Sequence, residues 1–297
     1  MVKSNITTAV KDGKILISDG AWGTYLQSKG WNPGQCPELW CLQKAGLIRT
    51  IARDYIESGA DMISTNSFGG SPFKLAHYDL DKRAAEINKA AAQLSRQEAG
   101  ENKWVLGSVG PTGKLLLMGD VTAEEMYEGF KIQVQALEEG GVDAICVETM
   151  SACDEAKIAI TAAKENTHCE VICTFTFERA VRGEYRTMMG HTIAETVQTA
   201  LDAGADIVGT NCGYGIAQLI EVTKKIRKIT GQSPLLVQAN AGLPDLQDGV
   251  ELFHESPNEM QAQIAKLVKA GANIIGGCCG TTPEHIRAVK KAVVNLN

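Results

Sequence analysis

Aromatic residues are scarce in this 297-residue chain, at 5%, and no excess of positive charge compensates for anything else it lacks. The first shortage leaves the core to alanine, valine, isoleucine and leucine. The formal net charge of -6 argues against nucleic acid or an anionic membrane surface as the main partner, because both are held by a basic footprint. The small cluster of Lys224, Lys225, Arg227 and Lys228 reads as the wet face of a helix. No apolar run reaches the roughly 20 residues that span a bilayer, and the stretch after Met1 lacks the apolar region of a secretion signal. A cytoplasmic protein is expected. Its nine cysteines, an odd number scattered through a long chain, then read as thiols or metal ligands and not as a disulfide framework. A GxGxxG turn after the first strand is missing too, which counts against a doubly wound dinucleotide-binding sheet.

What is present is a repeated frame. Ser58-Gly-Ala-Asp61, Gly140-Gly-Val-Asp143, Ala203-Gly-Ala-Asp206 and Ala270-Gly-Ala-Asn273 each precede a short apolar run, as a helix end turning into a strand would. Aligning the four puts Asn66, Glu148, Asn211 and Cys278 at one position, with Ser67, Thr149, Cys212 and Cys279 one residue further on. Strands are expected over residues 15–19, 61–65, 104–109, 144–147, 170–175, 206–209, 234–238 and 273–275. Helices separate them, signalled by the capping box Thr122 to Glu125, by the stripe Met260, Ile264 and Leu267, and by Thr282-Pro283. Eight strand–helix units without a linker predict a single α/β domain over residues 1–297, a (β/α)8 TIM barrel. Residues 27–40, with Trp31, Pro33, Gly34, Pro37 and Trp40, read as an irregular loop. The charged stretch holding Arg179, Arg182, Glu184 and Arg186 is long enough to form a lid, with a plain solvated loop as the alternative.

The chemistry is expected at the strand ends. Cys212 closes strand six, and Cys278 and Cys279 close strand eight, on the face where barrels of this kind carry their sites. Three thiols suit a zinc ion with three protein ligands and a fourth tetrahedral position open. Spacing alone leaves the blander reading standing, since adjacent cysteines are not a C-x2-C knuckle and buried cysteine is a common small apolar residue. The glycines at 276, 277 and 280, ahead of a helix start, offer a phosphate site as an alternative. A closed four-ligand structural zinc site lacks an obvious fourth ligand. The five histidines form no metal spacing, although His191 is a candidate for contact with substrate or partner. Cys36, Cys41, Cys146, Cys153, Cys169 and Cys173 read as structural.

Taken in order, Asp19 to Thr24, Asn66 to Phe68, Gly110 to Thr112, Glu148-Thr149, Gly209 to Gly213, Asn240 to Pro244 and Gly276 to Pro283 resemble the homocysteine S-methyltransferases. The chain is most similar to the homocysteine-binding barrel of cobalamin-dependent methionine synthase. The resemblance implies that Cys212, Cys278 and Cys279 are catalytic zinc ligands. It implies that Asp19, Glu148 and Asn211 hold the amino-acid end of the substrate, with the backbone at Gly20 and Ala21 close by and Asn66 a further substrate contact. The implied activity is zinc-dependent methyl transfer between a corrinoid (cobalamin) protein and a thiol such as homocysteine, through a zinc-bound thiolate, in methionine biosynthesis. The alternative is a component that demethylates a thioether, methoxy aromatic or quaternary amine and passes the methyl group to a corrinoid protein. Two carboxylates suit an ammonium group, with structural hydrogen bonding as the competing role for each. Trp22, together with Trp31 and Tyr25, is a departure that could reshape the pocket, and Ser67 stands where threonine is usual. No D-x-H-x-x-G cobalamin pattern, folate-binding second barrel or glycine-rich adenosylmethionine loop is found. The methyl group is therefore expected from a separate corrinoid protein or a small methylated donor, and the Asn240 to Pro244 stretch favours the former.

Overall fold

Eight parallel strands form a nearly closed barrel within a jacket of helices in the computed structural model, which describes residues 4–181, 183–247 and 250–296. The strands are β1 (Leu16–Ile17), β2 (Met62–Ser64), β3 (Trp104–Val109), β4 (Ala144–Met150), β5 (Glu170–Phe175), β6 (Ile207–Gly215), β7 (Leu235–Asn240) and β8 (Ile274–Gly277). The helices that follow them are α1 (Ala45–Glu57), α2 (Ala84–Ala99), α3 (Ala123–Glu139), α4 (Cys153–Asn166), α5 (Ile193–Asp202), α6 (Ile216–Thr230), α7 (Pro257–Ala270) and α8 (Pro283–Val294). Neighbouring strands run in the order β1-β8-β7-β6-β5-β4-β3-β2. The expected (β/α)8 barrel is therefore the fold.

Side chains alternate across each strand, so residues of one parity share one face. Ile17, Ile63, Val105, Ile145, Val171, Val208, Val237 and Ile275 point outward and pack against the helices. Leu16, Met62, Leu106, Ala144, Ile172, Ile207, Leu236 and Ile274 point inward and fill the lower barrel. Two residues further along the strands, the inward set becomes polar, with Ser18, Ser64, Ser108, Thr174 and Gln238 all buried. The lower barrel is thus a packed apolar plug, and the upper barrel is built to face something polar. A short helix, Ile6–Lys11, closes the bottom with Ile6, Ala9 and Val10 against the inward plug. The Glu170 carboxylate accepts from the Ile6 and Thr7 amides (2.6 and 3.0 Å), satisfying orphan donors at that helix start.

The repeated Asp or Asn has a single structural task at all four sites. The Asp61, Asp143, Asp206 and Asn273 amides donate to the carbonyls of Ile17, Val105, Val171 and Leu235, at 2.7, 2.8, 2.8 and 3.0 Å. Their side-chain oxygens accept from the amides of the same four residues, at 3.0, 2.7, 2.7 and 3.1 Å. Each even strand is thereby pinned to the odd strand before it. A cation supports each pin: Lys103 on Asp61, Arg96 on Asp143, Lys164 on Asp206 and Arg227 on Asn273. The pin matters most between β1 and β2, where no regular ladder forms. There Asp61 works at the bottom of the seam, and the Asp19 carboxylate takes the Ser64 amide (2.8 Å) above it.

Other details depart from the sequence expectation. β4 and β6 run to Met150 and Gly215, past the expected ends at 147 and 209, and β1 is only two residues long. Helices Gly23–Ser28 and Trp40–Gln43 bracket the stretch expected to be irregular. The charged stretch is a hairpin, Glu178–Arg179 against Tyr185–Arg186, with Arg186 paired to Glu184 at 2.9 Å. Arg182, counted in that stretch, lies outside the described residues. The helix at the barrel bottom is too short for its periodicity to stand out from sequence. No helix among the described residues is long and apolar enough to cross a membrane.

Replacing a pin leaves a strand amide without its acceptor, at a cost of about 1.5–3 kcal/mol for a charge-assisted bond. Urea unfolding of Asp206→Ala is expected to show a loss in that range, and Asp206→Asn, which imitates the natural Asn273, to recover most of it. Asp61→Ala is expected to cost more than Asp206→Ala, because the β1–β2 seam has no ladder to share the load.

Candidate active site

Two of the aligned strand ends break their ladders in the same way. Thr149 and Cys212, one residue past the aligned Glu148 and Asn211, have left-handed backbones with φ of 61° and 62°. The registers of β4 and β6 shift at these points. A non-glycine residue in this region costs on the order of 1–3 kcal/mol and persists only when its surroundings hold it. Asn211 supplies that hold. Its Oδ1 accepts from the Thr149 amide (3.0 Å) and from Thr174 Oγ1 (2.8 Å), and its Nδ2 donates to Thr149 Oγ1 (2.8 Å). The same Nδ2 lies 3.9 Å from Cys278 Sγ. Asn211 is completely buried and ties β4, β5, β6 and the β8 exit together.

The three sulfurs meet. Cys212 Sγ lies 3.9 Å from Cys279 Sγ, and the sulfurs of Cys212, Cys278 and Cys279 all lie within 4.8 Å of one another. β7 holds the Cys278-Cys279 turn: the Cys278 amide donates to the Ala239 carbonyl (2.7 Å), and the Ala241 amide to the Cys279 carbonyl (2.9 Å). Glycine is required ahead of the turn, because a Cβ at Gly277 would stand 2.2 Å from Thr281 Oγ1. Donation from the thiols of Cys278 and Cys279 holds Cys212 well below the usual thiol range, and the same contact with Cys212 pushes both partners up. The cluster therefore keeps one sulfur as thiolate near neutral pH. The Asn240 side chain also hydrogen-bonds Cys212, while its Oδ1 is buried without a partner. Sequence reasoning missed Asn240 as a donor group, since one asparagine in a strand exit carries no spacing signal. Cys36, Cys41, Cys146, Cys153, Cys169 and Cys173 are free thiols away from this cluster.

Beside the sulfurs lies a cavity of about 270 Å³. Gly20, Ala21, Asn66, Glu148, Cys212, Cys278 and Cys279 all line it, with Trp22, Leu26, Trp31 and Phe68 as an apolar wall. None of the described lining residues is lysine or arginine. Glu148 accepts from Ser108 Oγ, and burial pushes its carboxyl up to about 7 against that bond. Asn66 is held by the Pro37 carbonyl (2.8 Å). A Cβ at Gly20 would come within 2.7 Å of the Tyr55 ring, so the chain can pass close to the cavity there only as glycine.

Asp19 and Asn211 are placed differently from the other candidates, outside the cavity lining. The Asp19 carboxylate accepts from Ser64 N (2.8 Å), Ser64 Oγ (3.1 Å), Ser18 Oγ (3.1 Å) and Trp22 Nε1 (2.9 Å). Burial still pushes its pKa up. Trp22, the departure noted in the sequence, thus spends its indole N–H on Asp19. His191 accepts from the Thr187 amide through its carbonyl (2.9 Å) and holds a turn beside the first hairpin.

Comparison with known proteins gives the site its context. The chain is 29% identical over 301 residues to a methionine synthase of Mycobacterium tuberculosis, covering 95% of this chain and 25% of the relative. A methionine synthase of Mycobacterium leprae is 29% identical over 302 residues, again covering 25% of its length. The chain therefore spans about a quarter of the curated relatives it matches. Among solved structures it resembles the Escherichia coli homocysteine methyltransferase MmuM. The metallated form has a TM-score of 0.77 at 24% identity, over 95% of this chain and 98% of that one. The oxidized form has a TM-score of 0.80 at 23% identity, over 97% and 99%. These likenesses speak for the fold. The profile of the family described as homocysteine S-methyltransferase matches residues 16–293, nearly the whole barrel, and the chain belongs to that family.

Proposed function

We propose that this barrel transfers a methyl group between a corrinoid protein and an amino-acid thiol such as homocysteine, using zinc held by Cys212, Cys278 and Cys279. The observation that carries the reading is the meeting of three sulfurs with a carboxylate-bearing cavity that lacks any lining cation. The donor set fits the ion. Tetrahedral zinc with Zn–S distances near 2.3 Å needs sulfurs roughly 3.8 Å apart, close to the 3.9 Å between Cys212 and Cys279. Asn240 Oδ1, buried and unpartnered beside Cys212, is a candidate to complete the set when no thiol is present. When bound, zinc strips the proton from a coordinating thiol and so supplies a sulfur nucleophile at neutral pH.

The chain's own residues do the rest. Asn211 Nδ2 and the β7 backbone hold Cys278 in place, so the three sulfurs need little rearrangement. Glu148 takes the ammonium end of the substrate, and the buried walls keep water from the sulfur. The substrate sulfur forms the new S–CH3 bond with its lone pair, and the donor leaves with the pair of the bond that breaks. The absence of lining cations leaves the negative charge of the sulfurs uncompensated, which favours delivery of a methyl cation equivalent. The apolar wall of Trp22, Trp31 and Phe68 supports a second reading, in which a bulkier methylated substrate gives its methyl group to the corrinoid protein.

Mixing the protein with a methylated corrinoid protein and homocysteine is expected to produce the cob(I)alamin spectrum. Absence of that spectrum with any thiol, with methylated substrates instead driving methyl transfer to the corrinoid protein, would select the second reading. X-ray absorption of the zinc-loaded protein is expected to show three sulfur neighbours, rising to four with homocysteine. Alanine at Cys212 or Cys279 is expected to lower bound zinc well below one per chain and abolish transfer. The Glu148 pKa of about 7 adds a pH signature. Its ionised form is the one that pairs with ammonium, and a raised pKa means that form is lost as pH falls through about 7. The ratio of affinities for homocysteine and for 4-mercaptobutyrate, which lacks the amine, is therefore expected to fall between pH 8 and 6 and to be flat in Glu148→Gln.

A further inference from the structure

Gln238 of β7 points inward at the level of Asn211 and Gly276, and its side chain lines the cavity while only 6% exposed. Its Nε2 donates to Ser18 Oγ at 3.3 Å, and its Oε1 is buried without a partner. The direction of the Ser18 contact settles which end of the amide faces inward. A hydroxyl has one proton, and that of Ser18 goes to the Asp19 carboxylate at 3.1 Å. Ser18 Oγ can then only accept, so Gln238 must offer it N–H and turn its carbonyl toward the cavity. Glycine at 276 makes room for this: a Cβ there would stand 2.7 Å from Ser18 Cβ and 3.2 Å from Gln238 Cγ.

A buried acceptor without a donor is costly, by about the strength of the bond it lacks. The arrangement is stable in function only if a ligand brings the donor. We propose that Gln238 Oε1 accepts a hydrogen bond from the ammonium group of the amino-acid thiol, making with Glu148 a two-acceptor site for that group. This rests on the reading of the cavity as a site for such a thiol, and goes beyond it by naming a neutral contact and its polarity. A positively charged donor is the fitting occupant, because the cavity offers this acceptor together with a carboxylate and no lysine or arginine. Asp19 acts here as a positioning residue. It stays off the cavity lining, yet through Ser18 it decides that Gln238 presents oxygen and not nitrogen.

The test compares homocysteine with 4-mercaptobutyrate by calorimetry on the zinc-loaded protein. The wild type is expected to prefer homocysteine. In Gln238→Met, close in shape but without the acceptor, that preference is expected to shrink by about ten- to a hundredfold. The loss should fall on homocysteine alone, with the 4-mercaptobutyrate affinity and the zinc content unchanged. Gln238→Glu, which keeps an oxygen at the same place, is expected to retain the preference. Unchanged selectivity in Gln238→Met overturns the inference, as does equal weakening of both thiols, which would point to the substrate carboxylate or to packing. Loss of zinc in Gln238→Met also overturns it, by marking the residue as structural. A wild type that binds both thiols equally refutes the ammonium-gripping cavity itself, and this inference with it.

Discussion

A backbone amide of each odd strand shared with the Asp or Asn that opens the next even strand is the interaction on which the barrel and its site depend. It occurs four times, at Asp61, Asp143, Asp206 and Asn273, with the same donor, acceptor and supporting cation each time. Because strand side chains repeat with period two, pinning the first residue of a strand also determines the height and direction of every later one. Glu148, Asn211 and Cys278 each follow their pin by five residues and so arrive at one level. A slip of one residue in any even strand would turn its functional side chain out toward the helices.

Above the apolar plug, the barrel is polar by design of its alternation, and nearly every polar group there is matched. Asn211 answers four neighbours, and Asp19 answers Ser64, Ser18 and Trp22. The exceptions are informative for that reason. Asn240 Oδ1 and Gln238 Oε1 are buried and unmatched, one beside Cys212 and the other facing the cavity. Left-handed Thr149 and Cys212 are likewise strained, and both belong to the strands that deliver site residues. Satisfied groups build the frame; unsatisfied and strained ones cluster where a ligand would sit.

Much of this was legible in the chain. The eight strand–helix units announced the barrel, and the repeated glycine turns brought Cys212, Cys278 and Cys279 to one end. Glu148 emerged from the same alignment. The strand ends at 147 and 209 were drawn too early, because bulges let β4 and β6 continue past residues whose polarity reads as loop. Asp19 illustrates a different limit. A carboxylate at a strand mouth is equally suited to a substrate ammonium and to an unfinished sheet edge, and its partners Ser64 and Trp22 lie 45 and 3 residues away.

The sequence by itself determined the architecture, the family and the level at which the thiols gather, because these follow from local periodicity and from spacing that repeats four times. The tertiary structure alone decided which polar side chains face the cavity and which are consumed by the frame. That choice depends on hydrogen bonds between distant segments, such as Ser18 to Gln238 across 220 residues of chain. A donor can be used only once, and which acceptor is left over becomes visible only when every neighbour is in place.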